Sequence, residues 1–153
     1  MSIQSGTPIN VTQDTAANLL AGGSGQYPAL VKPTVAINNN FKPGTPVAGL
    51  DPTLFRYFDT TAYAAENGAR FGSAGRDQIR GPGYFNVDAG LYRTIRFNEQ
   101  FNLQFRAEAL NALNHPNFSN PGSNQSNAGA FGYITSTTGQ GSRIFRFGAR
   151  FQF

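Results

Sequence analysis

Alternation of apolar and polar residues from Phe145 to Phe153 marks the last twelve residues, SRIFRFGARFQF, as an amphipathic strand. Its odd positions from 145 to 153 are four phenylalanines and one alanine. Its even positions are polar or glycine, except for Ile144. Because side chains alternate across a strand, one face of this strand is aromatic and the other forms hydrogen bonds. Such a strand needs an apolar environment on one side and a polar environment on the other.

Two earlier stretches, 85–97 and 101–109, repeat this pattern with the same parity. Only the three residues 98–100 separate them, which predicts a tight hairpin. Pairing around that turn places residue i opposite residue 198 − i, so that Ile95 faces Leu103. The apolar face is then continuous across the hairpin.

The alternation assigns side chains to two faces, with Arg93 as an exception on the apolar one. Because Arg93 lies close to the hairpin, its long stem could carry the guanidinium to a membrane interface. The predicted apolar face consists of Phe85, Val87, Leu91, Ile95, Phe97, Phe101, Leu103, Phe105, Phe145 and Phe147. The predicted polar face includes Asp88, Arg96, Arg106, Glu108 and Arg150.

Whole-chain composition argues against several classes of protein. Eighteen glycines, nine prolines and only 13% charged residues favour turns and long loops. The net charge of +4 comes without a Lys/Arg cluster, so we do not expect nucleic-acid binding. With no Cys, disulfides and thiolate chemistry are absent. The chain starts without the features of a signal peptide and has no apolar run of about 18 residues, so a membrane role would depend on strands.

The first region, 1–83, is predicted to be loop-rich, with a short strand at 2–12. Residues 16–21 are expected to form at most one helical turn, followed by a flexible loop at 22–25. Within 51–67, Asp51-Pro52 is a helix-start signal. Glycines punctuate 68–83, which is predicted to be loop.

The second region, 84–153, is predicted to be antiparallel. Its strands are 84–97, 101–112 and 142–153. A long polar loop, 113–141, precedes the last strand, with a short strand at 131–136.

The predicted fold class is all-β, with about four long antiparallel amphipathic strands of outer-membrane barrel type. The alternative is a soluble sandwich, which would have to build two sheets from four strands. At about 3.3 Å per residue and a tilt of about 40°, a strand of about 12 residues spans roughly 30 Å, which matches a bilayer. The loops alternate between three residues and about 29, as barrel proteins alternate short periplasmic turns with long outer loops.

The ending Arg146-x-Gly148-x-x-Phe151-x-Phe153 resembles the C-terminal signal of bacterial outer-membrane barrels. In that family the barrel assembly machinery reads this signal. The resemblance therefore implies that these four residues form an assembly signal and that the machinery is a partner.

The chain also resembles the C-terminal end of TonB-dependent receptors that carry a carboxypeptidase-regulatory-like N-terminal domain. The similar stretches are SGTPINVT (5–12), FGSAGRDQIRGPGYFNVDAGLYR (71–93), LQFRAEALNALNHPNF (103–118) and FGYIT (131–135). The resemblance implies that 84–97, 101–112 and 142–153 are the last three strands of a barrel of roughly 22, and that 2–12 is the outer end of the strand before them. It implies a transport and binding function in the bacterial outer membrane.

Four strands cannot close a barrel, for which eight is about the minimum. Two solutions for the exposed edges stay open. Either the remaining strands of a larger barrel pair with this chain, within a lipid bilayer, or identical subunits join through their edges into an extracellular filament or tube.

Residue types suited to catalysis are sparse, so we do not expect an enzyme, a cofactor or a metal site. His115 is the only histidine and lies in a predicted loop before a proline. Asp88 and Glu108 share a face with four arginines, which favours a salt-bridge ladder over acid–base chemistry. Ligand contacts, if any, are expected in the outer loops 13–83 and 113–141.

Overall fold

The computed structural model describes residues 1–14, 26–68, 70–98, 101–139 and 141–153. These residues contain antiparallel strands and two short 3₁₀ segments, with no α-helix among them, which confirms the predicted all-β class. None of the helical segments in this part of the chain is long and apolar enough to span a membrane. The predicted helical turn at 16–21 and loop at 22–25 lie outside the described residues.

The chain divides into two compact units. Unit 1 contains 1–5, 83–118 and 137–153, and unit 2 contains 6–82 and 119–136. In chain order the strands are β1 (Ser2–Gln4), β2 (Pro8–Ile9), β3 (Ala29–Leu30), β4 (Tyr63–Ala64), β5 (Ile79–Arg80), β6 (Tyr84–Asn86), β7 (Ala89–Arg96), β8 (Asn102–Leu110) and β9 (Ile144–Gln152).

Unit 1 is built on an antiparallel sheet in the order β7-β8-β9. Across β7 and β8, Ile95 pairs with Leu103 and Tyr92 with Arg106, which is the register predicted from the turn. Leu103 in turn pairs with Phe151 of β9. Odd residues therefore face odd residues through all three strands, and both faces continue across the sheet.

The predicted strand 84–97 is divided into β6 and β7. Val87 and Asp88, which lie between these two strands, take part in no strand pairing. The Asp88 carboxylate accepts hydrogen bonds from the Asn111 backbone N–H at 2.9 Å and the Asn86 side chain at 3.0 Å. The Val87 carbonyl accepts a bond from Ala112 N–H at 2.7 Å. These bonds replace strand pairing at this point.

The predicted strand 2–12 is also divided, into β1 and β2. β1 pairs antiparallel with β6 and β2 with β5. Gly6 lies between β1 and β2. A Cβ on Gly6 would lie 1.7 Å from the Gly81 carbonyl oxygen, so the two backbones approach too closely there for any side chain.

Two further sequence predictions need correction. The predicted loop 68–83 contains the two-residue strand β5. The predicted strand at 131–136 is absent, because Phe131 and Tyr133 form only isolated bridges, to Gly122 and Arg56. The helix-start signal is confirmed as a 3₁₀ segment, Pro52–Phe55, where the Asp51 side chain accepts a bond from Thr53 N–H at 2.8 Å.

Unit 2 has its own aromatic core. Phe58, Tyr63 and Phe131 pack edge to face, with ring centroids 5.3 to 6.2 Å apart, and Phe58 is only 1% exposed. Burial raises the pKa of Tyr63 to about 12. The buried Gln13 side chain bonds the Glu66 backbone twice, at 2.8 and 2.9 Å, as a neighbouring strand would. Such side-chain bonds act together with the backbone hydrogen bonds between the loops of unit 2.

Candidate functional site: the two faces of the terminal sheet

The apolar face of the β7-β8-β9 sheet is exposed. One row across the strands consists of Leu91, Ala107 and Phe147, of which Leu91 is 73% and Phe147 80% exposed. Large apolar side chains prefer burial, and an apolar surface of this extent usually marks an interface with a partner or a membrane. The soluble-sandwich alternative requires a second sheet over this face, and no sheet among the described residues covers it.

Eight of the ten predicted apolar-face residues lie on or next to this face. They are Leu91, Ile95, Phe97, Phe101, Leu103, Phe105, Phe145 and Phe147. The other two do not lie in the sheet. Phe85 pairs with Ile3 in the β1-β6 ladder and packs on the His115 ring at 5.5 Å, while Val87 lies in the strand break.

Aromatic rings collect at the hairpin end of the same face. Phe101 stacks on Phe151 with centroids 5.9 Å apart, and Phe151 lies 6.1 Å from Phe153. Phe97 closes the hairpin by donating its N–H to the Phe101 carbonyl at 3.0 Å. Aromatic girdles in this position are typical of strands that cross a bilayer.

The polar face carries a charged cluster around Glu108. Its carboxylate accepts bonds from the Tyr92 hydroxyl at 2.8 Å and from the Arg106 Nε at 2.8 Å. The Arg106 guanidinium also lies 5.2 Å from the centre of the Tyr92 ring, and Arg146 is the register partner of Glu108. The Arg106–Glu108 ion pair is therefore completed by a hydroxyl from β7, with a second arginine beside it on β9.

The remaining predicted polar-face residues are placed differently. Arg96 pairs with Asn102 and Arg150 with Gln104, both in the ladder and on the polar face. Asp88 is not part of the charged cluster, because it bonds Asn86 and the Asn111 backbone in the strand break. Of the predicted salt-bridge ladder, the described residues of this face show one ion pair, Arg106–Glu108, and Asp88 is not part of it.

Of the assembly-signal residues, Arg146 and Gly148 lie on the polar face, Phe151 and Phe153 on the apolar face. Gly148 is the register partner of Arg106. A Cβ on Gly148 would lie 3.9 Å from the Arg106 side chain, which is ordinary contact. Packing within the described sheet therefore does not require glycine at this position.

Residues 111–117, which follow β8, form an asparagine-rich turn that was not predicted from the sequence. Its side chains bond the backbone of two other segments of unit 1. Asn111 and Asn114 have positive φ values of 50° and 53°, which asparagine tolerates better than most residues. The Asn114 side chain accepts a bond from Arg143 N–H at 3.0 Å, and the Asn117 side chain accepts one from Phe85 N–H at 2.7 Å. The signal was the density of asparagine in NALNHPN.

Unit 2 carries a depression of about 350 Å³. Its polar groups already pair with each other: the Asn38 amide donates to the Arg56 carbonyl at 3.0 Å, and Arg56 donates to the Thr60 hydroxyl. At its edge, Asp59 bonds Lys32 at 2.6 Å, which together with Thr61 lowers the pKa of Asp59. The lining also includes Ala36, Ile37, Leu54 and Phe58. Such a depression suits an apolar or weakly polar group.

No group of three or more His, Cys, Asp or Glu that could hold a metal ion occurs in the part of the chain that the structure describes. His115 lies at the end of the asparagine turn, where its backbone N–H bonds the Asn111 side chain at 3.0 Å.

The strand lengths fit a bilayer, although they are shorter than expected. β8 and β9 have nine residues each instead of about 12. At about 3.3 Å per residue and a tilt of about 40°, nine residues rise roughly 23 Å, close to the apolar band of about 25 Å in outer-membrane barrels.

Comparison with known proteins supports the same environment. Residues 1–146 match a family model described as an outer membrane beta barrel domain. The match ends before Gly148, Phe151 and Phe153, so it does not cover most of the assembly-signal residues. No curated protein and no solved structure matches the chain. The chain belongs to the outer membrane beta barrel domain family, which places it in the bacterial outer membrane.

Proposed function

We propose that this chain forms the C-terminal strands of a TonB-dependent receptor-like barrel that binds and transports a ligand and catalyses no reaction. The observation that carries the proposal is the two-faced β7-β8-β9 sheet. The apolar face, formed by the odd-numbered residues, has aromatic rings at the hairpin end. The polar face, formed by the even-numbered residues, carries the charged cluster around Glu108. A barrel wall between lipid and an aqueous lumen requires these two faces.

Lipid is the environment that best satisfies the apolar face. Each fully buried Phe or Leu contributes about 1.5–3 kcal/mol relative to exposure. The exposed face includes Leu91, Phe145, Phe147 and Phe151. Their transfer into hydrocarbon would favour the membrane-inserted state by several kcal/mol, while the charged face stays in water.

We also propose that ligand contacts lie in the segments 13–83 and 113–141, and that the assembly machinery reads the ending Arg146 to Phe153. The depression in unit 2 supports the first idea, because it offers apolar walls beside the Lys32–Asp59 ion pair. The TonB-dependent class itself rests on the sequence resemblance over 71–118.

Single-cysteine labelling tests the orientation of the sheet, since the chain has no native Cys. Ile95→Cys lies on the odd face and Thr94→Cys is its neighbour on the even face. Each variant is labelled with an environment-sensitive dye and refolded into phosphatidylcholine vesicles. We expect a blue-shifted spectrum at position 95 and a water-like one at position 94. Equal spectra at the two positions would contradict the barrel-wall proposal.

A second candidate function is a self-assembling extracellular filament or tube. It is favoured by the sheet edges, since no strand among the described residues pairs with the outer side of β9. Copies of the chain could satisfy that edge and bury the phenylalanine faces between sheets. Electron microscopy in detergent-free buffer tests this idea. Ordered filaments would favour it, and aggregates that only detergent dissolves would favour the barrel.

A further inference from the structure

Arg93 is a cation on the apolar face. Its register partner is Phe105, and the same row continues to Ala149. It lies four residues before Phe97, which is about 13 Å along the strand. A charge at this depth of the hydrocarbon costs about 2–4 kcal/mol unless the side chain reaches the interface or a counter-charge.

The sheet supplies no counter-charge to Arg93. The odd positions of 89–97, 101–109 and 145–153 contain no Asp or Glu. Within the described part of the chain, the Arg93 guanidinium makes no hydrogen bond or ion pair. Arg143, at the other end of the face, differs because its guanidinium lies 5.0 Å from the Phe145 ring and bonds the Ala112 carbonyl at 3.4 Å.

A groove leads away from Arg93 along the sheet. Its first part, of about 420 Å³, lies among Arg93, Phe105 and Ala149, and reaches the row Leu91–Ala107–Phe147. A second part, of about 280 Å³, shares that row and continues to Ala89, Ala109 and Phe145. Ala107 forms the floor between Leu91 and Phe147, and Ala109 continues it between Ala89 and Phe145. Most of the exposed lining of the groove is apolar, although Arg106 and Glu108 also border it, and Arg93 lies at one end.

We propose that this groove binds an anionic glycerophospholipid, with its phosphate on Arg93 and one acyl chain lying over Ala107 and Ala109. The proposal rests on the orientation of the apolar face toward lipid under the proposed function. Guanidinium binds phosphate through paired hydrogen bonds, and the alanine floor admits a hydrocarbon chain.

The direction of the groove favours a phospholipid over a second copy of the chain. The charged end lies toward the hairpin, whose aromatic rim marks the headgroup level, and the apolar part runs away from it. A phospholipid has the same polarity, with its phosphate held by the Arg93 side chain as it reaches toward the rim and an apolar chain that continues away from it. A second copy would present its own Arg93 and no acid on this face.

Lipid selectivity tests the proposal in the full chain with the dye at Ile95→Cys, two residues from Arg93. The chain is refolded into phosphatidylcholine vesicles that contain either spin-labelled phosphatidylglycerol or spin-labelled phosphatidylcholine. We expect the anionic lipid to quench the dye preferentially. Arg93→Gln should lower that preference about fivefold, because a basic side chain near an anionic membrane surface contributes about 1 kcal/mol.

Arg150→Gln is the matched control, since it removes the same charge from the polar face. It should leave the preference unchanged. Ala107→Leu fills the groove but keeps the charge, and should also lower the preference. An unchanged preference in Arg93→Gln, or an equal loss in Arg150→Gln, would overturn the lipid site while the spectra at positions 94 and 95 still support the barrel wall. Equal spectra at those positions would instead remove the proposed function.

Discussion

The two units of this chain are stabilised in opposite ways. The sheet of unit 1 has continuous ladders of eight and nine residue pairs, yet the side chains of β7 and β9 are exposed on both faces. Unit 2 has strand pairs of only two residues, yet it buries an aromatic cluster around Phe58. The first unit therefore depends on continuous strand ladders, and the second on scattered backbone bonds together with a buried core.

The difference shows which unit depends on its surroundings. A sheet with an uncovered apolar face does not gain the hydrophobic free energy that folding normally requires, so it needs lipid or further protein to complete it. Unit 2 gains that free energy within itself. We therefore expect changes on the apolar face to act on membrane insertion, and changes in the core of unit 2 to act on its stability in water.

The largest effect should follow from Phe147→Ser combined with Phe151→Ser. Both residues lie on the apolar face of β9 and are more than half exposed. Their replacement removes about 3–6 kcal/mol of transfer into lipid, which should abolish insertion. Flotation of the chain with phosphatidylcholine vesicles measures this loss.

The matched control is Gln104→Ser with Gln152→Ser, two substitutions on the polar face of the same sheet. This variant should float with the vesicles as the parent chain does. An equal loss of insertion in both double variants would contradict the claim that the apolar face, and not the polar face, drives insertion.

Gly132→Ala should give the next largest effect, confined to unit 2. Gly132 has φ +82°, and a Cβ there would lie 2.7 Å from the Thr60 side chain. Strain and overlap together should lower the free energy of unfolding by about 2–4 kcal/mol. Urea unfolding followed by the near-UV circular dichroism of the tyrosines measures it.

Gly44→Ala separates the two causes, because Gly44 also has a positive φ, +108°, but no atom lies near its Cβ position. It should cost only about 1–2 kcal/mol, from the backbone alone. Equal losses in the two variants would show that packing around Gly132 contributes nothing. A loss of vesicle insertion in either variant would contradict the separation of roles.

The terminal sheet could be predicted from the sequence because alternation and a three-residue turn are local signals. The parity of β8 and β9 and the pairing of Ile95 with Leu103 both follow from them. The break at Val87 and Asp88 could not be predicted, since alternation continues through it. It depends on the Asn111 backbone, which is 23 residues away.

Most of the structure of unit 2 could not be predicted from the sequence. It depends on contacts between residues that are far apart in the chain and follow no periodic pattern. Gln13 bonds Glu66 across 53 residues, and Phe58 packs on Phe131. Neither contact has a spacing that a strand or helix would impose. The groove beside Arg93 was also missed, although the exception to the pattern at Arg93 was visible. Its alanine floor becomes apparent only when the rows of three strands are aligned.

A smaller effect is expected in unit 1 from Asn117→Ala. The Asn117 side chain is 2% exposed and accepts the Phe85 N–H, which no strand partner replaces in the described residues. Its loss should cost about 1–2 kcal/mol, because a partly buried N–H is left without a partner. Hydrogen exchange at the Phe85 amide measures this loss directly and should become faster. Asn117→Asp keeps an acceptor oxygen and should largely restore protection, whereas equally fast exchange in both variants would contradict the role of the side chain.

The smallest effect should be the pH dependence of unit 2 through Asp59. Its bonds to Lys32 and Thr61 lower its pKa in the folded state, so its ionisation stabilises the fold above the ordinary pKa of 3.8. This contribution is lost as the pH falls through the lowered pKa. Because both side chains are partly exposed, it should be below about 1 kcal/mol. Urea unfolding at pH 7 and pH 3 should show a smaller difference for Asp59→Asn than for the parent chain. An identical difference in the two chains would mean that the Lys32–Asp59 pair adds nothing to the stability of unit 2.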